Sequence, residues 1–303
     1  MAKIAFLFPG QGAQAVGMCR ELDAELPAVR SLFDRAAEVL GFDLRKLCLE
    51  GPAEALEATD VSQPAIFVAS LAALESLKAT NPDAVAACEG AAGLSLGEYT
   101  ALTFAGALDF EAGLEVVRRR GRAMQAASKA SPSGMVSVLG LDEAKVDELC
   151  AKVEPHGRIW KANMLGPGNI VVSGDASAME QVEPAANELG AMKVVRLAVA
   201  GAFHTPLMKP ADEQLAEVLT RVEVRAPRIP VYSNVDASPH DDPEAIRQIL
   251  VTQVLKGVRW DESMRRMIAD GFDTFYEIGP GRVLTGLLKR IDRKTPCTSV
   301  PAR

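Results

Sequence analysis

Apolar residues along this chain fall into two rhythms, short unbroken runs and longer stretches where they return every three or four positions, which predict strands and helices in turn. Ile4-Ala5-Phe6-Leu7-Phe8, closed by Pro9-Gly10, reads as a first buried strand. Helical spacing follows over residues 28–40 and 63–78, where Pro64 suits a first helical turn. Residues 84–88 form a weaker apolar run, read as a buried strand. It leads through a glycine-flanked turn into a helix near 99–105 and another over 111–127.

The rhythm changes at residue 131. Ser131-Pro132-Ser133-Gly134 reads as a linker, followed by strand 135–141, helix 142–153, strand 159–164, a Gly-Pro-Gly turn, strand 169–173, helix 176–189 and strand 193–199. The order β-α-β-β-α-β is that of a ferredoxin-like unit. The predicted organisation is therefore an α/β chain in which residues 1–130 and 199–303 build a large subdomain and 131–198 an inserted small one. Beyond the insert lie helix 212–222, strand 229–234, helix 243–254, and strand 275–278 joined to helix 283–291 by Gly279-Pro280-Gly281.

With 303 residues, 48% of them hydrophobic, the chain can bury a sizeable core. No apolar run approaches the roughly 20 residues of a membrane span. The net charge of −7 argues against a general nucleic-acid binder. Local basic clusters, Arg118-Arg119-Arg120 with Arg122 and Lys289-Arg290 with Arg293-Lys294, read as solvated faces. Five cysteines without a close pair indicate neither a disulfide framework nor a zinc site, and suit a reducing compartment.

Chemistry concentrates at Gly93-Leu94-Ser95-Leu96-Gly97-Glu98. A serine between two glycines, after a strand and before a helix, fits a nucleophile elbow; a tight turn with an inert serine is the alternative. A serine nucleophile needs a base. Of three histidines, His156 and His240 sit in polar turns, whereas His204 follows an apolar strand and a Gly-Ala-Phe turn that deliver it to a sheet edge. His204 is thus the predicted base, or else a loop histidine that only bonds a carbonyl. Helical spacing puts Arg120 in an apolar row with Val116 and Met124. A guanidinium there needs an anion, either a structural carboxylate or that of a substrate. The backbone N–H of Leu96 and a second donor at Gln11, in the turn after the first strand, would face an oxyanion.

Phe8-Pro9-Gly10-Gln11-Gly12, Gln63-Pro64, Gly93 to Tyr99, Arg120-Gly121, Ala202-Phe203-His204, Ser233-Asn234-Val235 and Glu277-Ile278-Gly279-Pro280-Gly281 occur in order over essentially the whole chain. This set closely resembles the malonyl-CoA:acyl carrier protein transacylases of type II fatty acid synthesis. The resemblance implies a hydrolase-like core, mainly parallel in its sheet, with a ferredoxin-like subdomain. It also implies ping-pong transfer of malonyl from coenzyme A, through serine, to the phosphopantetheine thiol of an acyl carrier protein. No metal or cofactor of the enzyme's own is implied, since the phosphopantetheine belongs to the carrier, and the expected enzyme is a monomer that binds neither nucleic acid nor membrane.

Carried onto this sequence, the family's nucleophile falls on Ser95, its base on His204, its carboxylate-gripping arginine on Arg120 and its oxyanion donors on Gln11 and Leu96. The residue whose backbone carbonyl orients the histidine falls on Gln253, and polar cleft residues fall on Gln63 and Asn163. Phe203, beside His204, is expected to leave little room for a branch at the malonyl α-carbon. Two positions depart from the family's commonest pattern: Leu94 stands where a histidine usually precedes the serine, and Leu165 where a second asparagine usually follows Asn163. Leu94 puts in doubt a supporting hydrogen bond. With Gly201 to Thr205 and Ser233 to Ala237, it resembles the plastid branch, so a mature chloroplast-stroma form without transit peptide is expected, with the bacterial cytoplasm as alternative. A serine thioesterase or hydrolase, or a non-catalytic carrier-binding module, are the rival functions.

Overall fold

The structure, a computed structural model, describes residues 2–303. Nine strands run in chain order: β1 (Ile4–Phe8), β2 (Cys88–Gly93), β3 (Ser133–Leu139), β4 (Ile159–Gly166), β5 (Asn169–Asp175), β6 (Lys193–Arg196), β7 (Val231–Tyr232), β8 (Thr274–Gly279) and β9 (Cys297–Pro301). They form two sheets, and the fold is α/β. The larger, ordered β7-β2-β1-β8-β9, is parallel throughout. Its central β1 is buried on both faces, as a parallel sheet between helices requires. Phe6 and Phe8 enter one core with the Thr59–Thr80 and Phe110–Ala130 helices, while Ala5 and Leu7 enter another with Trp260, Phe272 and Phe275.

The smaller sheet is antiparallel, ordered β4-β5-β3-β6. Val136, Val138, Ile170 and Val172 share the face covered by the Glu143–Val153 and Ala176–Glu188 helices, which gives this unit a core of its own. The chain crosses between the sheets on either side of β3 and β6. A third attachment comes from β4: the Met164 N–H donates to Val258 O at 2.9 Å, and the Val258 N–H donates to Ala162 O at 2.8 Å.

Two elements differ from expectation near the centre. Residues 84–88 are not the strand: Pro82 and the Asn81 side chain, which accepts from the Ala84 N–H at 3.2 Å, set up a short Pro82–Ala86 helix, and pairing with β1 makes Cys88–Gly93 the strand instead. The helix through Gln63 begins at Thr59, so Pro64 lies inside it rather than in its first turn.

Candidate active site

The carboxyl ends of β1, β2 and β7 meet at one edge of the large sheet, where open α/β sheets place their ligands. Ser95 lies two residues past the end of β2 and has φ of 52°, a left-handed conformation that costs a non-glycine residue about 1–3 kcal/mol. The flanking glycines have no room for side chains. A Cβ on Gly93 would lie 1.9 Å from the Gly97 carbonyl carbon, and one on Gly97 would lie 2.1 Å from Phe8 O. The helix Gly97–Phe104 can therefore turn back against β1 only with glycine at both positions. Asn234, after β7, holds the turn: its Oδ1 accepts from the Ser95 N–H at 2.6 Å and its Nδ2 donates to Gly93 O at 2.8 Å.

Ser95 Oγ lies 2.8 Å from His204 Nε2, and His204 Nδ1 lies 2.9 Å from Gln253 O. A carbonyl can only accept, so the histidine carries its proton on Nδ1 and presents the Nε2 lone pair to the serine. Burial, and then the Arg120 charge, lower its pKa to about 4, so the imidazole is neutral and available as a base at neutral pH.

Arg120 is buried in one row with Val116 and Met124, while Arg118 and Arg119 pair outside with Glu115. Its Nη1 donates to Gln63 Oε1 at 2.7 Å, and its Nη2 donates to Ser95 Oγ at 2.9 Å and to Gln253 Oε1 at 3.0 Å. All three acceptors are neutral, and Nε has no partner. No carboxylate lies within ion-pair distance of Arg120 among the described residues. Desolvation accordingly lowers its pKa, although a guanidinium stays charged. The direct partners of this buried cation are two amides and a hydroxyl, with the Tyr99 ring 5.3 Å away and the Glu98 carboxyl beyond Gln253, so an anion from outside would be its first directly bonded counter-charge.

The family model described as "Acyl transferase domain" matches residues 5–302. The chain belongs to the acyl transferase family. It is 43% identical over 303 residues to the malonyl CoA-acyl carrier protein transacylase of Bacillus subtilis, covering 99% of this chain and 94% of that protein. It is 42% identical over 295 residues to the human mitochondrial malonyl-CoA-acyl carrier protein transacylase, covering 93% of this chain and 75% of that one. Among solved structures, the Coxiella burnetii malonyl CoA-acyl carrier protein transacylase superposes with a TM-score of 0.94 at 35% identity, covering 99% of this chain and 94% of that one. A malonyl-transacylase bound to a type II PKS acyl-carrier protein gives 0.93 at 38%, covering 99% and 96%.

In this acyltransferase Ser95, His204, Arg120, Gln63 and the Gln253 carbonyl form one hydrogen-bonded cluster. The Leu96 and Gln11 N–H groups donate to no acceptor among the described residues. Both are thus free to face an oxyanion. Asn163, half-buried on β4, has an unpartnered Oδ1, and Phe203 is buried next to His204; neither bonds to the cluster. His156 is exposed, and His240 is tied to Asp236 at 2.8 Å. Leu94 packs against the core of Leu7 and Trp260, and the N–H of Ser95 is held by Asn234. The sequence motifs contain Asn234 and Glu98 but give them no role, nor any to the Gln253 side chain, whose Nε2 donates to Ser95 O at 3.0 Å and to Glu98 Oε2 at 2.7 Å. For Asn234 the signal was its place just after a strand at the carboxyl edge. A cavity of about 740 Å³, lined by Leu71, Cys88 and Ile229 at the amino-terminal edge, shares no residue with this cluster.

Proposed function

We propose that this acyltransferase moves a malonyl group from malonyl-CoA to the phosphopantetheine thiol of an acyl carrier protein through an ester on Ser95. The observation that carries the reading is Arg120, a buried cation without a carboxylate partner and 2.9 Å from Ser95 Oγ. Ser95 Oγ attacks the thioester carbonyl and passes its proton to His204 Nε2. The oxyanion faces the Leu96 and Gln11 N–H groups, and coenzyme A leaves as the thiol with the proton held by His204. The carrier's thiol then attacks the ester by the reverse path. The malonyl carboxylate lies against Arg120 throughout, a bidentate partner for its fork. The names of the relatives and the carrier-bound neighbour support both substrates.

Intact-mass measurement after mixing with malonyl-CoA is the test. One malonyl group should be added, and the phosphopantetheinylated carrier should discharge it. Discharge to water, as free malonate, at the same rate without carrier would favour the hydrolase reading. No adduct would favour a binding module.

Two further outcomes belong to this reading. His204→Ala should lower the transfer rate by at least ~10²-fold, the scale of a lost general base, while His156→Ala and His240→Ala leave it near the parent rate. Equal losses at all three would remove His204 from this role. The carrier, an acidic protein in this pathway, needs a local basic surface on an enzyme of net charge −7. Lys289, Arg290, Arg293 and Lys294 are exposed and form no ion pair among the described residues. Reversing two of these charges should raise the KM for the carrier several-fold and spare self-acylation by malonyl-CoA. Equal damage to both half-reactions would contradict a docking role.

A further inference from the structure

Glu98 lies in the first turn of the helix that follows Ser95, is 2% exposed, and takes no part in the steps above. Its Oε2 accepts from Gln253 Nε2 at 2.7 Å and from the Asn234 N–H at 3.1 Å. These two partners position the reacting groups. Gln253 orients His204 through its carbonyl and Ser95 through its amide, and Asn234 holds the Ser95 N–H. Serine-histidine pairs commonly have a carboxylate on the histidine's far nitrogen. Here a neutral carbonyl occupies that place, and the carboxylate stands one residue further back, gripping the residue that supplies the carbonyl.

We infer that Glu98 is the positioning residue of the site, a buried carboxylate that sets the alignment of Ser95 and His204 by clamping Gln253 and Asn234 together. The inference deepens the reading above and rests on Ser95 being the nucleophile. The clamp is charge-assisted, and hydrogen bonds to an ionised acceptor are roughly twice as strong as neutral ones. Its strength therefore depends on the protonation of Glu98. Burial raises this carboxyl to about 7, against the opposing pull of hydrogen bonds from Gln253, Asn234 and Ser233 and of the Arg120 charge. Of the groups that face it, Arg120 on the Phe110–Ala130 helix is the charged one. Asn234, Ser233 and Gln253 are neutral donors, and burial pushes neighbouring Tyr99 well above the ordinary phenol range, so Tyr99 stays neutral. Ionised Glu98 prevails above pH 7, and the clamp weakens as pH falls through that value.

The test reads serine reactivity without any malonyl reagent: the rate at which a small sulfonyl fluoride labels Ser95, followed by intact mass from pH 5 to 9. The parent protein should show a limb near pH 7, with labelling roughly three- to tenfold faster above it, the difference between a charged and a neutral hydrogen bond. Glu98→Gln keeps the shape and an acceptor but not the charge. It should label at the parent's acid-side rate across the range, with no limb. Glu98→Ala, if folded by circular dichroism, should label about 10²-fold more slowly, the scale of a misplaced nucleophile. A limb near pH 7 that persists in Glu98→Gln, or a folded Glu98→Ala that labels at the parent rate, would overturn the inference while leaving the serine mechanism standing. If the parent protein is not labelled at Ser95 at all, the nucleophile assignment fails and the inference with it. Should Glu98→Ala not fold, the pH profile of Glu98→Gln decides.

Discussion

Replacing Ser95 by alanine should abolish the malonyl adduct and lower transfer on the order of 10⁶-fold, the loss seen when serine proteases lose their nucleophile. The substitution separates chemistry from architecture. The fold uses the Ser95 backbone, whose N–H is held by Asn234 and whose carbonyl is held by Gln253, and alanine keeps both bonds. Alanine also tolerates φ of 52° no worse than serine. The variant should therefore melt close to the parent and still bind malonyl-CoA, because Arg120 keeps Gln63 and Gln253 as partners. A persistent adduct on another residue would sink the assignment.

Arg120→Ala should change what the enzyme accepts. In the parent, acetyl-CoA would leave the guanidinium without a directly bonded anion, whereas a malonyl carboxylate would supply one. Leaving such a charge unpaired costs about 3–5 kcal/mol, so malonyl should be preferred over acetyl by roughly 10²- to 5 × 10³-fold in kcat/KM. Removing the side chain removes both the attraction and the penalty, and the preference should collapse or invert while Ser95 still accepts acyl groups. Competition between the two thioesters, read by intact mass, measures this directly. A folded Arg120→Ala variant that kept its malonyl preference would make the arginine structural. On the proposed function, a substrate carboxylate against Arg120 should also offset the charge that, after burial, holds the His204 pKa down, and so raise that pKa when substrate binds.

The pattern of apolar positions located most elements because their burial follows simple periods. Residues 283–291 read as a helix and are one, and Val116, Arg120 and Met124 share a buried row as the spacing required. The strand after residue 87 was misplaced because Cys88–Gly93 is mostly glycine and alanine, weak strand formers that become a strand through pairing with β1. Helix Trp260–Ala269 carries its signal in Trp260, Met264 and Met267, but charged neighbours dilute it; half-buried β9 shows no alternation. In the site, Ser95 and His204 were legible from local motifs. What holds them was not. Arg120 meets Gln63 across 57 residues of sequence and Gln253 across 133, and Asn234 meets Ser95 across 139. No local spacing encodes such contacts. Two readings of Arg120 stayed open in its helix, and the neutral character of its direct partners favours the one with an anion from outside.

The backbone bonds between β4 and Val258 bear on how the molecule responds to load. Two covalent crossings alone would let the small unit swing like a door on its pins. The Met164–Val258 and Ala162–Val258 bonds add a third fixing point, next to Asn163, and resist that rotation. The small unit is then braced rather than hinged, and load on it passes to the large unit through backbone bonds as well as through the chain itself.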